Sequence, residues 1–122
     1  MSDIAPVPAA TVVLARESST KSDIEVLLLL RNPKLVFHGG HWVFPGGRVD
    51  AADASEEVLE RTPGLTLSQA AARLNLPDGE TPAVAYYLAA LREAFEETGI
   101  LVGRSASGDR MATAHAEPGV RD

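Results

Sequence analysis

The chain has no cysteine in its 122 residues, which excludes a disulfide framework, a thiolate metal site and a cysteine nucleophile. It has no excess of basic charge: 11 Lys and Arg stand against 17 Asp and Glu, a net charge of −6. That balance disfavours nucleic acid and anionic membrane as partners and suits a protein that recruits divalent cations. No apolar run approaches the ~20 residues that cross a bilayer; "VLLLL", Val26 to Leu30, has the length of a buried strand. The opening "MSDIAPVPAATVV" shows neither a basic leader nor an apolar signal core, so the expected location is cytoplasmic. No internal repeat is visible.

Hydrophobic residues make up 45% of the sequence, ordinary for a globular protein, and the length fits one domain spanning residues 1–122. Pro6 and Pro8 make the first residues a loose lead-in. "AATVVLARE" (Ala9 to Glu17) and "IEVLLLLR" (Ile24 to Arg31) read as two strands joined by a polar connection, the second buried on both faces. "HWVF" (His41 to Phe44) is a short third strand. It ends at Pro45-Gly46-Gly47, read as a backbone break needing unusual dihedrals. Residues from about 54 to 80 read as an insertion with two short helices, the first starting at Ser55 and the second capped by Ser68 and stopped by Pro77 and Gly79. Thr81 and Pro82 are expected to cap and open a long helix, "AVAYYLAALREAFEET", stopped by Gly99 at the C′ position. "ILV" (Ile100 to Val102) is a brief strand candidate, and the remainder reads as loop or tail.

The long helix carries an anomaly. Glu93, Glu96 and Glu97 crowd its C-terminal end, where the macrodipole disfavours negative charge by about 0.3–1 kcal/mol each. Their i, i+3 and i+4 spacing adds like-charge repulsion of a few tenths of a kcal/mol per pair. The periodicity places Leu88, Leu91 and Phe95 on one face and the three glutamates on roughly the opposite one. A solvated acidic face is one reading. The other is a site for a hard divalent cation, which takes oxygen ligands and removes both penalties at once.

"PGG" followed by "REAFEETGI" resembles the signature of the Nudix hydrolases: a glycine, five residues, a glutamate, seven residues, then R-E-x-x-E-E-x-G and an apolar residue. Arg92 to Ile100 matches the second half without a gap. Gly47 matches the glycine, and Asp53 stands where the family has glutamate. The next interval, Ala54 to Leu91, holds 38 residues instead of seven. An insertion at this place is similar to the subgroup that includes the peroxisomal coenzyme A diphosphatase and its bacterial relatives.

The resemblance implies an α/β fold, a Nudix-like α/β/α sandwich around a mixed sheet, with a short helical insertion at about 54–84. Only 23 residues follow Gly99, so the C-terminal part of that fold is expected to be missing, leaving an uncovered face and a sheet edge that invite self-association. The implied activity is metal-dependent hydrolysis of the phosphoanhydride in a nucleoside diphosphate linked to a further group, with coenzyme A or related nucleotides as candidate substrates. Mg²⁺ or Mn²⁺ is the implied cofactor, neutralising the diphosphate and acidifying a bound water. By the match, Glu96 and Glu97 are principal metal ligands, Glu93 is ligand or base, and Asp53 replaces the family glutamate with a shorter reach. Arg92 orients the glutamates by charge-assisted hydrogen bonds. Gly46 and Gly47 form the tight loop that docks the helix on the sheet and approaches the metal. The alternative is a catalytically incomplete Nudix-like module that binds metal or a partner.

Other residues take plainer readings. Arg31 could touch a substrate phosphate, but a solvated strand end is favoured. His38 and His41 read as loop histidines, Trp42 and Phe44 as core, and Tyr86 and Tyr87 as helix packing beside the insertion. Glu56, Glu57 and Glu60 favour the dipole of a first helical turn.

Overall fold

The computed structural model describes residues 4–34, 39–76, 81–104 and 110–111; His38, Pro77 and Gly79 lie outside them. The first expected strand occurs as two pieces, β1 (Ala9–Thr11) and β2 (Ala15–Glu17), and the second as β3 (Ile24–Val26) and β4 (Leu29–Leu30). They are followed by β5 (Trp42–Val43) and β6 (Gly46–Arg48). The breaks arise because each long segment changes partner along its length. β1 pairs with β6 and β2 with β3, while β4 pairs with β5. Single bonds carry the pairing across the gaps, from Val12 N–H to the Pro45 carbonyl at 2.9 Å and from Leu27 N–H to the Leu14 carbonyl at 3.0 Å.

Every described pairing is antiparallel, where a mixed sheet was expected. A parallel pair needs a long crossover. The strands that follow the long helix among the described residues, β7 (Gly103–Arg104) and β8 (Arg110–Met111), pair only with each other. This hairpin lies where loop was expected. Ile100 to Val102, expected as strand, form none; Ile100 N–H donates instead to the Thr98 hydroxyl at 3.1 Å.

A 3₁₀ turn (Ala51–Ala54) follows β6 and leads into α1 (Glu56–Glu60), α2 (Leu67–Leu74) and α3 (Ala83–Thr98). Short polar side chains set the starts. Asp50 and Asp53 form a reciprocal capping box on the 3₁₀ turn, and Ser55 caps α1. Thr66, rather than Ser68, caps α2 in a box with Gln69. Pro82, rather than Thr81, holds the N-cap position of α3 and offers no side-chain bond. Asn75 (φ 50°) ends α2 and Gly99 (φ 76°) ends α3, both in the left-handed region that closes helices. No helix among the described residues is long and apolar enough to cross a membrane.

The insertion helices pack on the first half of α3. Ala70, Ala83 and Val84 form a buried cluster, with Leu59, Leu65, Tyr87 and Leu88 against it. α3 also lies on β1, β6 and the 3₁₀ turn, and its Arg92 and Glu93 reach Asp53 in that turn and Gly47 in β6. Besides Ala83 and Val84, the buried positions of α3 are Ala85, Ala89 and Ala94, while Leu88, Leu91 and Phe95 are only half-buried. Small side chains go deepest because the helix approaches the glycine-bearing strand closely. The opposite sheet face is open. Ile24, Leu30 and Trp42 are 74, 53 and 64% exposed, and Phe44 is exposed too. The expected two-sided burial of the second strand and the core role of Trp42 and Phe44 therefore do not hold. Among the described residues, helices cover one sheet face only.

Gly46 and Gly47 lie within β6 and do not have positive φ, unlike Gly40 and Gly99. Their smallness serves close approach. A Cβ at Gly46 would overlap the Ala10 carbonyl oxygen and come within 2.9 Å of Thr11 Cα. Those are backbone atoms with no room to yield. Gly46→Ala is expected to destabilise the chain by roughly 1–3 kcal/mol, measured as a lowered urea midpoint.

Candidate active site

Arg92 holds the centre of the site. Its Nε donates to Asp53 Oδ1 at 2.8 Å and its Nη2 to Asp53 Oδ2 at 3.0 Å, a side-on bidentate pair. Nη2 also donates to the Arg48 carbonyl at 3.0 Å. Nη1 donates to Glu93 Oε1 at 3.0 Å and to Glu96 Oε2 at 3.3 Å. All five N–H donors of the guanidinium thus have acceptors. The hydrogen bond to Asp53 is the main reason its pKa is raised well above the ordinary value; burial opposes the shift, and Glu93 and Glu96 reinforce it.

Asp53 is 4% exposed and also accepts from Asp50 N–H at 2.7 Å. Burial pushes its carboxyl up, but Arg92 and the Asp50 N–H outweigh burial and hold it below the usual range. Both of its oxygens are engaged. Expected among the metal ligands, Asp53 stands here across the guanidinium from Glu93, as the anchor of Arg92.

Glu93, one turn before Glu97, lies against β6. A Cβ on Gly47 would overlap its carboxyl group, so only glycine leaves the carboxylate its place. Glu97 receives the Gly46 N–H and lies in hydrogen-bond contact with Glu93. Its pKa is raised, first by desolvation and then by the Glu93 charge; the Gly46 N–H and the positive Arg31 offset part of this. Glu96 leans toward Arg92 and keeps its side chain 40% exposed. Among the described residues no three Asp, Glu or His side chains already converge as an ion cage. The donor chemistry nevertheless fits a hard cation: Glu93 and Glu97 are adjacent carboxylates that repel one another when ionised.

The structure brings together all seven residues expected at the site: Gly46, Gly47, Asp53, Arg92, Glu93, Glu96 and Glu97. Sequence reasoning did not single out Arg48 or Asp50, whose contributions come from the main chain. It also favoured a solvated role for Arg31. Arg31 is half-buried, and its Nε is buried with no partner among the described residues, an arrangement that costs about 1–3 kcal/mol. The signal for it was present: Leu27, Leu29 and Arg31 share one face of the strand by the two-residue period.

No protein-family model matches the chain. Curated relatives do. An acyl-coenzyme A diphosphatase of Xenopus laevis is 31% identical over 112 residues, covering 75% of this chain and 28% of the relative. One of Gallus gallus is 35% identical over 97 residues, covering 66% and 26%. The crystal structure of a Nudix hydrolase from Alicyclobacillus acidocaldarius superposes with a TM-score of 0.65 at 30% identity over 94% of this chain and 47% of that one. The chain belongs with the Nudix hydrolases. It spans about a quarter of the length of these curated relatives and just under half of the Nudix crystal structure. The resemblance of "REAFEETGI" to the Nudix signature thus agrees with a fold likeness that extends over nearly the whole chain.

Two substitutions test this Nudix site. Asp53→Asn leaves Arg92 facing a neutral amide and is expected to destabilise the chain by roughly 3 kcal/mol, the scale for breaking a buried ion pair. Because the folded pKa of Asp53 lies below its unfolded value of about 3.9, its stabilisation is fully present above that pH. It is lost as pH falls through the folded pKa. Urea unfolding of wild type should therefore weaken more steeply in acid than that of Asp53→Asn. Gly47→Ala meets the movable end of a side chain, so its stability should stay within about 1 kcal/mol of wild type. Its Mn²⁺ affinity, read by calorimetry, should fall about tenfold as Glu93 is displaced.

Proposed function

We propose that this chain supplies the cation- and diphosphate-binding part of a Nudix pyrophosphohydrolase acting on coenzyme A-type nucleotides. The observation that carries the reading is the Glu93–Glu97 carboxylate pair, held against the glycine strand by Gly46 and flanked by Arg92. The acyl-coenzyme A diphosphatase relatives supply the substrate class.

Glu93 and Glu97, with Glu96 beside them, would hold Mg²⁺ or Mn²⁺. When bound, such an ion neutralises diphosphate oxygens and lowers the pKa of an attached water. The chain's own residues do the rest. Arg92 fixes the rotamers of Glu93 and Glu96, so that less conformational entropy is lost when ligands engage. Desolvation and the neighbouring Glu93 charge raise the pKa of Glu97, and a bound cation would favour its carboxylate form. Whichever of Glu93 and Glu96 is left free of the ion can accept a proton from the attacking water. The bond broken is the P–O–P anhydride, leaving two phosphate monoesters.

A second reading has support as well. One sheet face is uncovered among the described residues, and no three-carboxylate cage is preformed. Both features suit a module that binds a cation without turnover. The assay that separates them incubates the purified chain with coenzyme A, an acyl-coenzyme A, ADP-ribose and NADH, with Mg²⁺ or Mn²⁺. The hydrolase reading expects cation-dependent release of two phosphate monoesters, abolished by EDTA. It expects Glu97→Gln and Glu96→Gln to reduce turnover by about 10²-fold or more and to weaken Mn²⁺ binding. Cation binding with no cleavage of any nucleotide, by a chain whose fold is verified, would establish the module instead.

A further inference from the structure

We infer that the open sheet face is where two copies of this chain pack together, face to face about a two-fold axis. The inference is independent of the cation-site reading and concerns the side of the sheet away from α3.

The strand registers gather exposed apolar side chains into one patch. Thr11 stands opposite Gly46, Ala15 opposite Val26 and Leu29 opposite Val43. Val12 is bonded to Pro45 and Leu27 to Leu14 across the gaps, so the same registers bring Val13, Leu28 and Phe44 side by side. Leu30 and its partner Trp42 extend the patch in one direction, and Val26 and Ile24 in another. All seven side chains are exposed. Scaled by that exposure they present about 700 Å², more than the ~300–600 Å² of the largest patch on a typical monomer. Each partner in a stable interface gives ~800 Å², so two such faces come close to what a stable dimer needs. Residues 105–122 offer only Met111 and Val120 as large apolar side chains, too little to cover the patch.

Charge on this face favours a second copy as the occupant. Gly47 faces Glu93 on α3, so its neighbour Arg48 stands on the open side, opposite Ala9 in the register. The two-residue period carries the same face from Ala9 through Thr11, Val13 and Ala15 to Glu17. Glu17 and Arg48 thus mark opposite ends of one strand arm, with Val13 midway and no charge between. Both are exposed, and neither forms an ion pair among the described residues. A two-fold axis between the sheets, crossing the arm at Val13, sets residue 17 of one copy over residue 9 of the other. Glu17 then meets the partner's Arg48, twice per dimer. Apolar side chains fill the centre and the ion pairs close the rim, as in other protein interfaces. Both α3 sites stay on the outside.

The test uses the full chain. Sedimentation equilibrium at about 100 µM should give twice the chain mass of 12.9 kDa, since interfaces of this size hold at micromolar concentration or better. Trp42 is the one tryptophan; its emission should shift to the blue, and its quenching by iodide should fall, as concentration drives association. Val13→Glu sets two like charges against each other at the axis and should weaken the dimer at least about 100-fold. Glu17→Arg and Arg48→Glu each create two like-charge contacts and should weaken it about tenfold, while the double reversal returns it to within about twofold of wild type. Should Val13→Glu unfold the chain by circular dichroism, the reversals at the exposed rim decide. A chain that stays monomeric overturns the inference. So does a dimer as tight in folded Val13→Glu as in wild type, or one indifferent to the charge reversals. A monomer whose Trp42 already resists iodide shows the face covered from within the chain. One whose emission moves only with phosphatidylcholine vesicles shows a lipid-facing surface, and either result overturns the dimer.

Discussion

A single guanidinium makes the acidic end of α3 tenable. Asp53, Glu93 and Glu96 all bond to Arg92, and without it their mutual repulsion would add to the unfavourable macrodipole. The pairing with Asp53 has a further consequence. The two residues are 39 apart in sequence and stand on either side of the insertion. Clamping them together fixes the ends of the inserted segment, so α1 and α2 can pack on the first half of α3 without disturbing the carboxylates on its second half.

The glycine strand supplies the complementary constraint. Gly46 lets β6 approach β1 and directs its N–H at Glu97, while Gly47 leaves space for the Glu93 carboxyl. Arg92 therefore orients one edge of the carboxylate group and the strand backbone bounds the other. Within that frame the ionisable groups are pushed apart in affinity for protons. Asp53 is held ionised by its cationic partner, and Glu97 is drawn toward its neutral form by desolvation and a like charge. Opposed shifts among neighbouring carboxyls are a recurring property of sites that do chemistry.

Much of this was legible along the chain. The long helix, its glycine stop and the insertion follow from periodicity and capping residues, and the glutamate spacing marked the site. Other features were misread for identifiable reasons. "PGG" suggested a strained turn because glycine most often supplies positive φ, yet here its lack of a side chain mattered. Trp42 and Phe44 were assigned to the core because apolar alternation shows that a strand has two faces but not which of them is covered. Arg31 was taken for a strand end in solvent because nothing in "LLLLRNP" indicates that the next layer lies over that position.

The sequence by itself determined the local terms: which segments form helix, where they stop, and that three carboxylates recur at helical spacing. Those depend on residues within a turn or two of one another. Only the tertiary structure decided how the carboxylates divide. It gave Asp53 to Arg92 and the Asp50 N–H, set Glu93 beside Glu97, and left the Arg31 Nε buried without a partner among the described residues. The reason is that hydrogen-bond donors are few and directional, so their allocation depends on which chain segments meet in space.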